Sequence, residues 1–141
     1  MKPTAAHPWI TPFSTARLPS AQLILEPAGE RTAILVVAPG GLDSYPKYLV
    51  HFRDVLAISC EEEIGALSDR WGIDSQQRSC AFILEASLAV ESYNSTPFGM
   101  RMKLQHFLVL GGDNHVSIIA RESPTIEEVR GPQQLVIRHE V

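Results

Sequence analysis

The sequence is short of the residues that usually mark a secreted or nucleic-acid-binding protein. Its 141 residues include two cysteines, Cys60 and Cys80, which are too few for a disulfide framework. Both lie in alternating apolar segments, so we expect buried free thiols, with a bridge between neighbouring strands as the alternative. Only three lysines are present, and the net charge is -4 without a basic cluster. Because nucleic-acid binding places cations opposite phosphates, we expect no nucleic-acid partner.

Long apolar runs and metal-ligand spacings are also missing. No apolar run reaches the roughly 20 residues that span a bilayer, and prolines interrupt the N-terminal segment. The five histidines show neither H-x-H nor H-x-x-x-H spacing, and no C-x-x-C pair occurs. We therefore expect a cytoplasmic protein with no membrane segment, no metal and no other cofactor.

The composition is that of a globular chain, with 45% hydrophobic and 20% charged residues. Residues 1–19 hold four prolines and form an expected N-terminal arm, followed by a single domain over residues 20–141. Trp9 and Phe13 give this arm more apolar weight than a disordered tail carries. The arm either packs across its own domain or crosses to a partner subunit, where Trp9 and Phe13 would be interface residues.

Apolar alternation predicts most of the strands. Residues 23–25 and 32–38 flank a turn and predict a hairpin, and residues 80–86 predict another strand. Residues 47–61 alternate on both sides of Arg53 and Asp54, which favours one bent strand over two strands joined by a tight turn. Residues 102–121 predict a hairpin in which Leu110 pairs with Val116 across a three-residue loop.

Two further segments carry helix signals. Residues 61–71 begin with acids and have apolar residues at helical spacing, and Ser123, Pro124 and Glu127 are typical of a helix start. Residues 135–137 predict a last strand. The sequence therefore predicts an α+β fold, a mainly antiparallel sheet of about six strands with one to three short helices.

Candidate site residues fall into two groups. Glu61, Glu62 and Glu63 form either a solvated acidic corner or a docking patch for a basic protein. The second group would line a sheet pocket if their strands were neighbours, and its members are His51, His106, Tyr48 and Cys60. Since His106 lies in an apolar row, it is either a satisfied core residue or a pocket residue.

The order of the segments resembles a known group of proteins. An alternating strand ends in acids, Trp71 follows, a Ser-Tyr-Asn segment starts at Ser92, and a hairpin begins at Gln105-His106-Phe107-Leu108-Val109. This order resembles that of small uncharacterised bacterial α+β proteins, some of them similar to immunity proteins that neutralise a toxin domain. The resemblance has no diagnostic motif and implies no catalytic residues. We expect a non-catalytic protein that binds a protein partner or itself. The alternative is a small-ligand binder or enzyme with a pocket around His106 and His51.

Overall fold

The computed structural model describes residues 5–16, 19–25, 32–61, 79–85, 90, 104–112 and 114–132, and these residues form nine β-strands. The strands are β1 (Ala5–Pro8), β2 (Ser20–Leu25), β3 (Ala33–Ala38), β4 (Lys47–Phe52), β5 (Val55–Glu61), β6 (Ala81–Glu85), β7 (Gln105–Leu110), β8 (His115–Ala120) and β9 (Thr125–Val129).

The strands build two antiparallel sheets that pack face to face. The five-stranded sheet has the order β1-β6-β7-β8-β5, and the four-stranded sheet has the order β2-β3-β4-β9. Alternate residues of both sheets point into the layer between them, where Phe52 of β4 lies 5.4 Å from Phe107 of β7, centroid to centroid. Burial of this shared apolar layer is the main favourable term that holds the sheets together.

The prediction of an α+β fold is wrong. The described residues build nine strands and no helical element, with helical backbone at the single residues Val90 and Pro132, and the strands outnumber the six that were expected. The helix expected from Ser123 is instead β9, which pairs with β4 and buries Val129 to 1% exposure. Thr125, Ile126 and Val129 are β-branched residues that suit a strand, so cross-strand packing overrode the capping signal. Glu61, the first residue of the short helix or turn-rich segment expected over residues 61–71, belongs to β5. The rest of that segment and the strand expected over residues 135–137 lie outside the described residues.

Residues 47–61 form two strands instead of the single bent strand favoured by the sequence. β4 pairs with β9 in one sheet, and β5 pairs with β8 in the other. Asp54 has a φ of 52°, which turns the chain sharply between the sheets. Arg121 closes the corner because its N–H donates to the Asp54 carbonyl at 3.1 Å.

The hairpin of residues 102–121 is confirmed, but its register is not. Leu110 pairs with His115 and not with Val116, so the connection has four residues, 111–114. This shift by one residue moves one strand's side chains to the other face. All six residues of β8 are buried, so the apolar pattern could not distinguish the two registers. The hairpin of β2 with β3 and the strand β6 agree with the sequence prediction.

The described part of the N-terminal arm packs across its own chain. β1 pairs with β6, and the N–H of Trp9 extends this ladder to the Ala81 carbonyl at 2.9 Å. The Trp9 ring lies 4.9 Å from Phe107, centroid to centroid, and Phe13 is 1% exposed. The aromatic residues of the arm therefore complete the layer between the sheets.

Candidate functional site

The four candidate pocket residues do not meet. Tyr48 and His51 belong to β4 but point to opposite faces of the four-stranded sheet, as their odd spacing requires. His106 lies in the other sheet, on the face turned away from the shared core. Cys60 is an exposed residue of β5, at the edge of that sheet. No single pocket is therefore lined by these four residues.

His106 and Cys80 are the two titratable groups that burial perturbs most clearly. His106 is 1% exposed, and desolvation by burial lowers its pKa from 6.5 to about 4. Burial raises the pKa of the Cys80 thiol to about 11, and this thiol donates to the Phe13 carbonyl at 3.2 Å. Both groups are therefore neutral near pH 7. The expectation of two buried thiols holds for Cys80 and is wrong for Cys60, and both cysteines are free.

The arm residues proposed for an interface lie in the core. Phe13 contacts Tyr48 at 5.9 Å and Trp9 at 6.1 Å between ring centroids. Phe13 could reach a partner only if this segment left the layer between the sheets. Ile10, which follows Trp9, is 91% exposed and is the most exposed large apolar side chain among the described residues of the arm.

Glu61 is part of a polar cluster that the sequence did not reveal. Its Oε2 lies 3.1 Å from Nε2 of His115, which pairs with it across β5 and β8, and its Oε1 accepts from Ser59 at 3.4 Å. The His115 side chain is 4% exposed, and its Nδ1 is buried with no hydrogen-bond partner among the described residues. Glu62 and Glu63 lie outside the described residues. Only the pairing of β5 with β8, which are far apart in sequence, brings these groups together.

The edges of the sheets are the second candidate feature, since an unpaired edge exposes backbone donors and acceptors. Trp9 donates to β6, so the preceding Pro8 faces outward, where a proline has no N–H to offer. β9 carries two consecutive acids, Glu127 and Glu128, which discourage pairing with another acidic strand. These features protect the outer edges of β1 and β9.

β2 and β5 border the same side of the two-sheet structure, which we call the open side. Nδ2 of Asn114 links their ends, because it lies 3.1 Å from the Ala21 carbonyl of β2 and 3.4 Å from Sγ of Cys60 in β5. The N–H of Gly112 also donates to the Pro19 carbonyl at 2.8 Å. The turn between β7 and β8 therefore covers the beginning of the β2 edge.

Within the described part of the chain, no strand pairs with the outer edge of the second half of β5, and this half is regular. The Gly111 N–H donates to the Asn114 carbonyl at 2.6 Å, so the even-numbered residues of β8 bond to β7 and the odd-numbered residues bond to β5. Ser59 and Glu61 pair with odd-numbered residues of β8, and their backbone groups therefore point toward β8. The backbone groups of Ile58 and Cys60 then point outward, and they bond to no described residue beyond the ladder. A β-bulge between Val55 and Ala57 disrupts the first half of the strand.

An open depression of about 230 Å³ adjoins this edge. Its lining is mostly aliphatic and consists of Thr32, Val55, Leu56, Ala57 and Ile58. The open side therefore combines outward backbone groups, an apolar depression at one end of β5 and the Glu61 carboxylate at the other. This combination suits an extended polypeptide, because every second residue of an extended chain presents its N–H and C=O groups to the same side, as Ile58 and Cys60 do.

The described residues show no metal cluster and no membrane-spanning helix, and comparison with known proteins gives no match. Within the described residues, no three His, Cys, Asp or Glu side chains are grouped as metal ligands would be. Within the same ranges, no helix is both long enough and apolar enough to cross a bilayer. No protein-family model, curated protein or solved structure matches the chain.

Proposed function

We propose that this chain is a non-catalytic cytoplasmic binding protein whose partner is another protein or a second copy of itself. The observation that carries the proposal is the outward backbone of Ile58 and Cys60 at the open side. Such an edge forms hydrogen bonds with any chain that lies along it in an extended conformation. Each bond adds about 0.5–1.5 kcal/mol net, so a few residues of added strand supply useful affinity.

The order of the segments, which resembles that of small proteins some of which are similar to immunity proteins, favours the same class of function, because immunity proteins act by binding a protein. The α+β fold of that group does not agree with the two-sheet structure, so the open edge of β5 is the main argument. Under this proposal a toxin domain is one possible class of partner. Under this proposal the open side makes the interaction, and Trp9 and Phe13 make their contacts inside the chain.

Native mass spectrometry tests the proposal on protein purified gently from its own source. A complex with a second protein, or a homodimer that survives dilution to the working concentration, is the expected result. A bare monomer at all concentrations, with no protein recovered alongside it, would refute the binding role.

A second candidate function is small-ligand binding at Glu61 and His115. It is favoured by the Nδ1 of His115, because a buried polar atom without a partner costs about 1–3 kcal/mol that a bound donor would relieve. The same mass spectra test it, since a retained small molecule would shift the mass of the chain. A His115→Phe variant should then lose the retained molecule, and retention unchanged by that substitution would exclude this site.

A further inference from the structure

We propose that the open side binds one extended segment of a partner protein, added as a strand to β5, with apolar residues alternating with basic ones. This inference rests on the proposed binding function and specifies its partner. It assigns a distinct role to each end of β5, the depression for apolar side chains and Glu61 for a cation.

The alternation follows from the pleat of β5. Side chains of an added strand that lie opposite Ile58 and Cys60 share their face, which is the face turned toward the layer between the sheets. Side chains opposite Ser59 and Glu61 lie on the other face of the sheet. The first set meets aliphatic surface, and the second set meets a carboxylate.

The charge at this edge determines which charge the partner's side chains opposite Ser59 and Glu61 should carry. Neither β2 nor β5 contains a lysine or arginine, and the Glu61 side chain remains 34% exposed beside His115. Glu62 and Glu63 follow it directly in the sequence, and the whole chain has a net charge of -4. A second copy would bring another negatively charged chain to two edge strands that contain no lysine or arginine. A partner segment carrying lysine or arginine is favoured instead, because opposite charges across neighbouring strands attract.

The edge of β5 is a better acceptor than the edge of β2. The turn between β7 and β8 already occupies the Pro19 and Ala21 carbonyls. The outward groups of Ile58 and Cys60 have no such cover among the described residues. Since Cys60 is exposed, a substitution there changes the edge without removing a core side chain.

The test uses the full chain and a capped eight-residue peptide in which valine alternates with lysine. Binding is measured by isothermal titration calorimetry against two control peptides, one scrambled to destroy the alternation and one with glutamate in place of lysine. The key variant is Cys60→Pro, which removes one outward N–H, and its reference is Cys60→Ser, which also lacks the thiol. Glu128→Pro on the β9 edge is the matched control. The N–H of Glu128 also points outward. The bond from Asn114 shows that the backbone of Ala21 points away from β3, and the alternation of the ladders from β2 through β3 and β4 to β9 then turns the backbone of Glu128 away from β4.

We expect Cys60→Pro to weaken binding about tenfold or more relative to Cys60→Ser, because a backbone bond is lost and the ring obstructs the edge. Glu128→Pro should bind as the wild type does. Glu61→Gln keeps the backbone intact, and it should weaken binding severalfold and reduce its dependence on salt. This second variant tests the inference if Cys60→Pro does not fold, which circular dichroism and urea unfolding would reveal.

Three results would overturn the inference. They are equal binding of the scrambled peptide, no detectable binding of the alternating peptide, and binding by Glu61→Gln indistinguishable from wild type. A partner found by native mass spectrometry alongside any of these results would leave the binding function standing and place its interface elsewhere. A bare monomer in that experiment refutes the binding function itself.

Discussion

Acid should destabilise this protein through His106, and the size of the effect follows from its burial. The side chain is 1% exposed, and its pKa is lowered from 6.5 to about 4. As the pH falls below 6.5, this histidine becomes protonated in the unfolded chain but stays neutral in the folded chain. The proton therefore favours the unfolded state. Stability is retained above the unfolded pKa and is lost progressively as the pH falls toward 4.

The magnitude comes from the two pKa values. Each unit of difference is worth about 1.4 kcal/mol, so a shift from 6.5 to about 4 amounts to roughly 3 kcal/mol once both states are protonated. About 2 kcal/mol of this loss should already be present at pH 5. That is a large part of the 5–15 kcal/mol (roughly) that stabilises a typical domain.

The assay is urea unfolding followed by tryptophan fluorescence at pH 7, 6 and 5, for wild type and for His106→Leu. The variant has its own pH-independent change in stability, so the decisive quantity is the difference between the two proteins as a function of pH. This difference should change by about 2 kcal/mol between pH 7 and pH 5. His7→Leu is the control, because the His7 side chain is 60% exposed.

Parallel pH profiles for wild type and His106→Leu would refute the reasoning. They would mean that the folded protein accepts a proton at His106 as readily as the unfolded chain does. A His7→Leu profile that departs from the wild type as much as the His106→Leu profile does would refute it as well, since the acid effect would then not be specific to the buried histidine.

Three further predictions concern the thiols, the arm and the turn. Ellman's reagent at pH 8 should react with one thiol per native chain, that of Cys60. The thiol of Cys80 should react only in denaturant, because burial raises the pKa of Cys80 to about 11. Rapid reaction of both thiols in the native protein would contradict this. Phe13→Ala should cost about 3–5 kcal/mol in urea unfolding because the ring is 1% exposed, and a cost below 1 kcal/mol (roughly) would show that the arm is not part of the core. Gly111→Ala should lower stability by about 1–3 kcal/mol, because an added Cβ would lie 2.9 Å from a backbone oxygen. Gly131→Ala, where the Cβ meets nothing within 4 Å, should change stability much less in the same measurement.

Local signals predicted individual strands well where one turn or one apolar pattern decides the outcome. The turn residues after β2 and after β7 led directly to two hairpins that the structure contains. Local signals failed where a distant strand decides the outcome. Ser123 and Pro124 are good residues for a helix start, but the vacant edge of β4 recruits the next residues as β9.

The candidate site depended even more on distant contacts. The charge of Glu61 made it a candidate for a solvated acidic corner or a docking patch, but its contact with His115 joins residues 54 positions apart. The outward direction of Cys60 depends on which residue of β8 pairs with it, and local patterning predicted neither that pairing nor its register. The four predicted pocket residues separated for the same reason, since their strands belong to different sheets or faces.

By itself the sequence determined the small number of lysines, the acidic balance, the chemistry of each strand's side chains and the positions of the tightest turns, because these are local properties of the chain. The tertiary structure decided strand order, register and the division into two sheets. These depend on pairing between segments far apart in sequence, and with both faces of β8 buried, apolar alternation could not choose among the possible partners. Only this pairing left the backbone of β5 at an open edge, which is where we place the function.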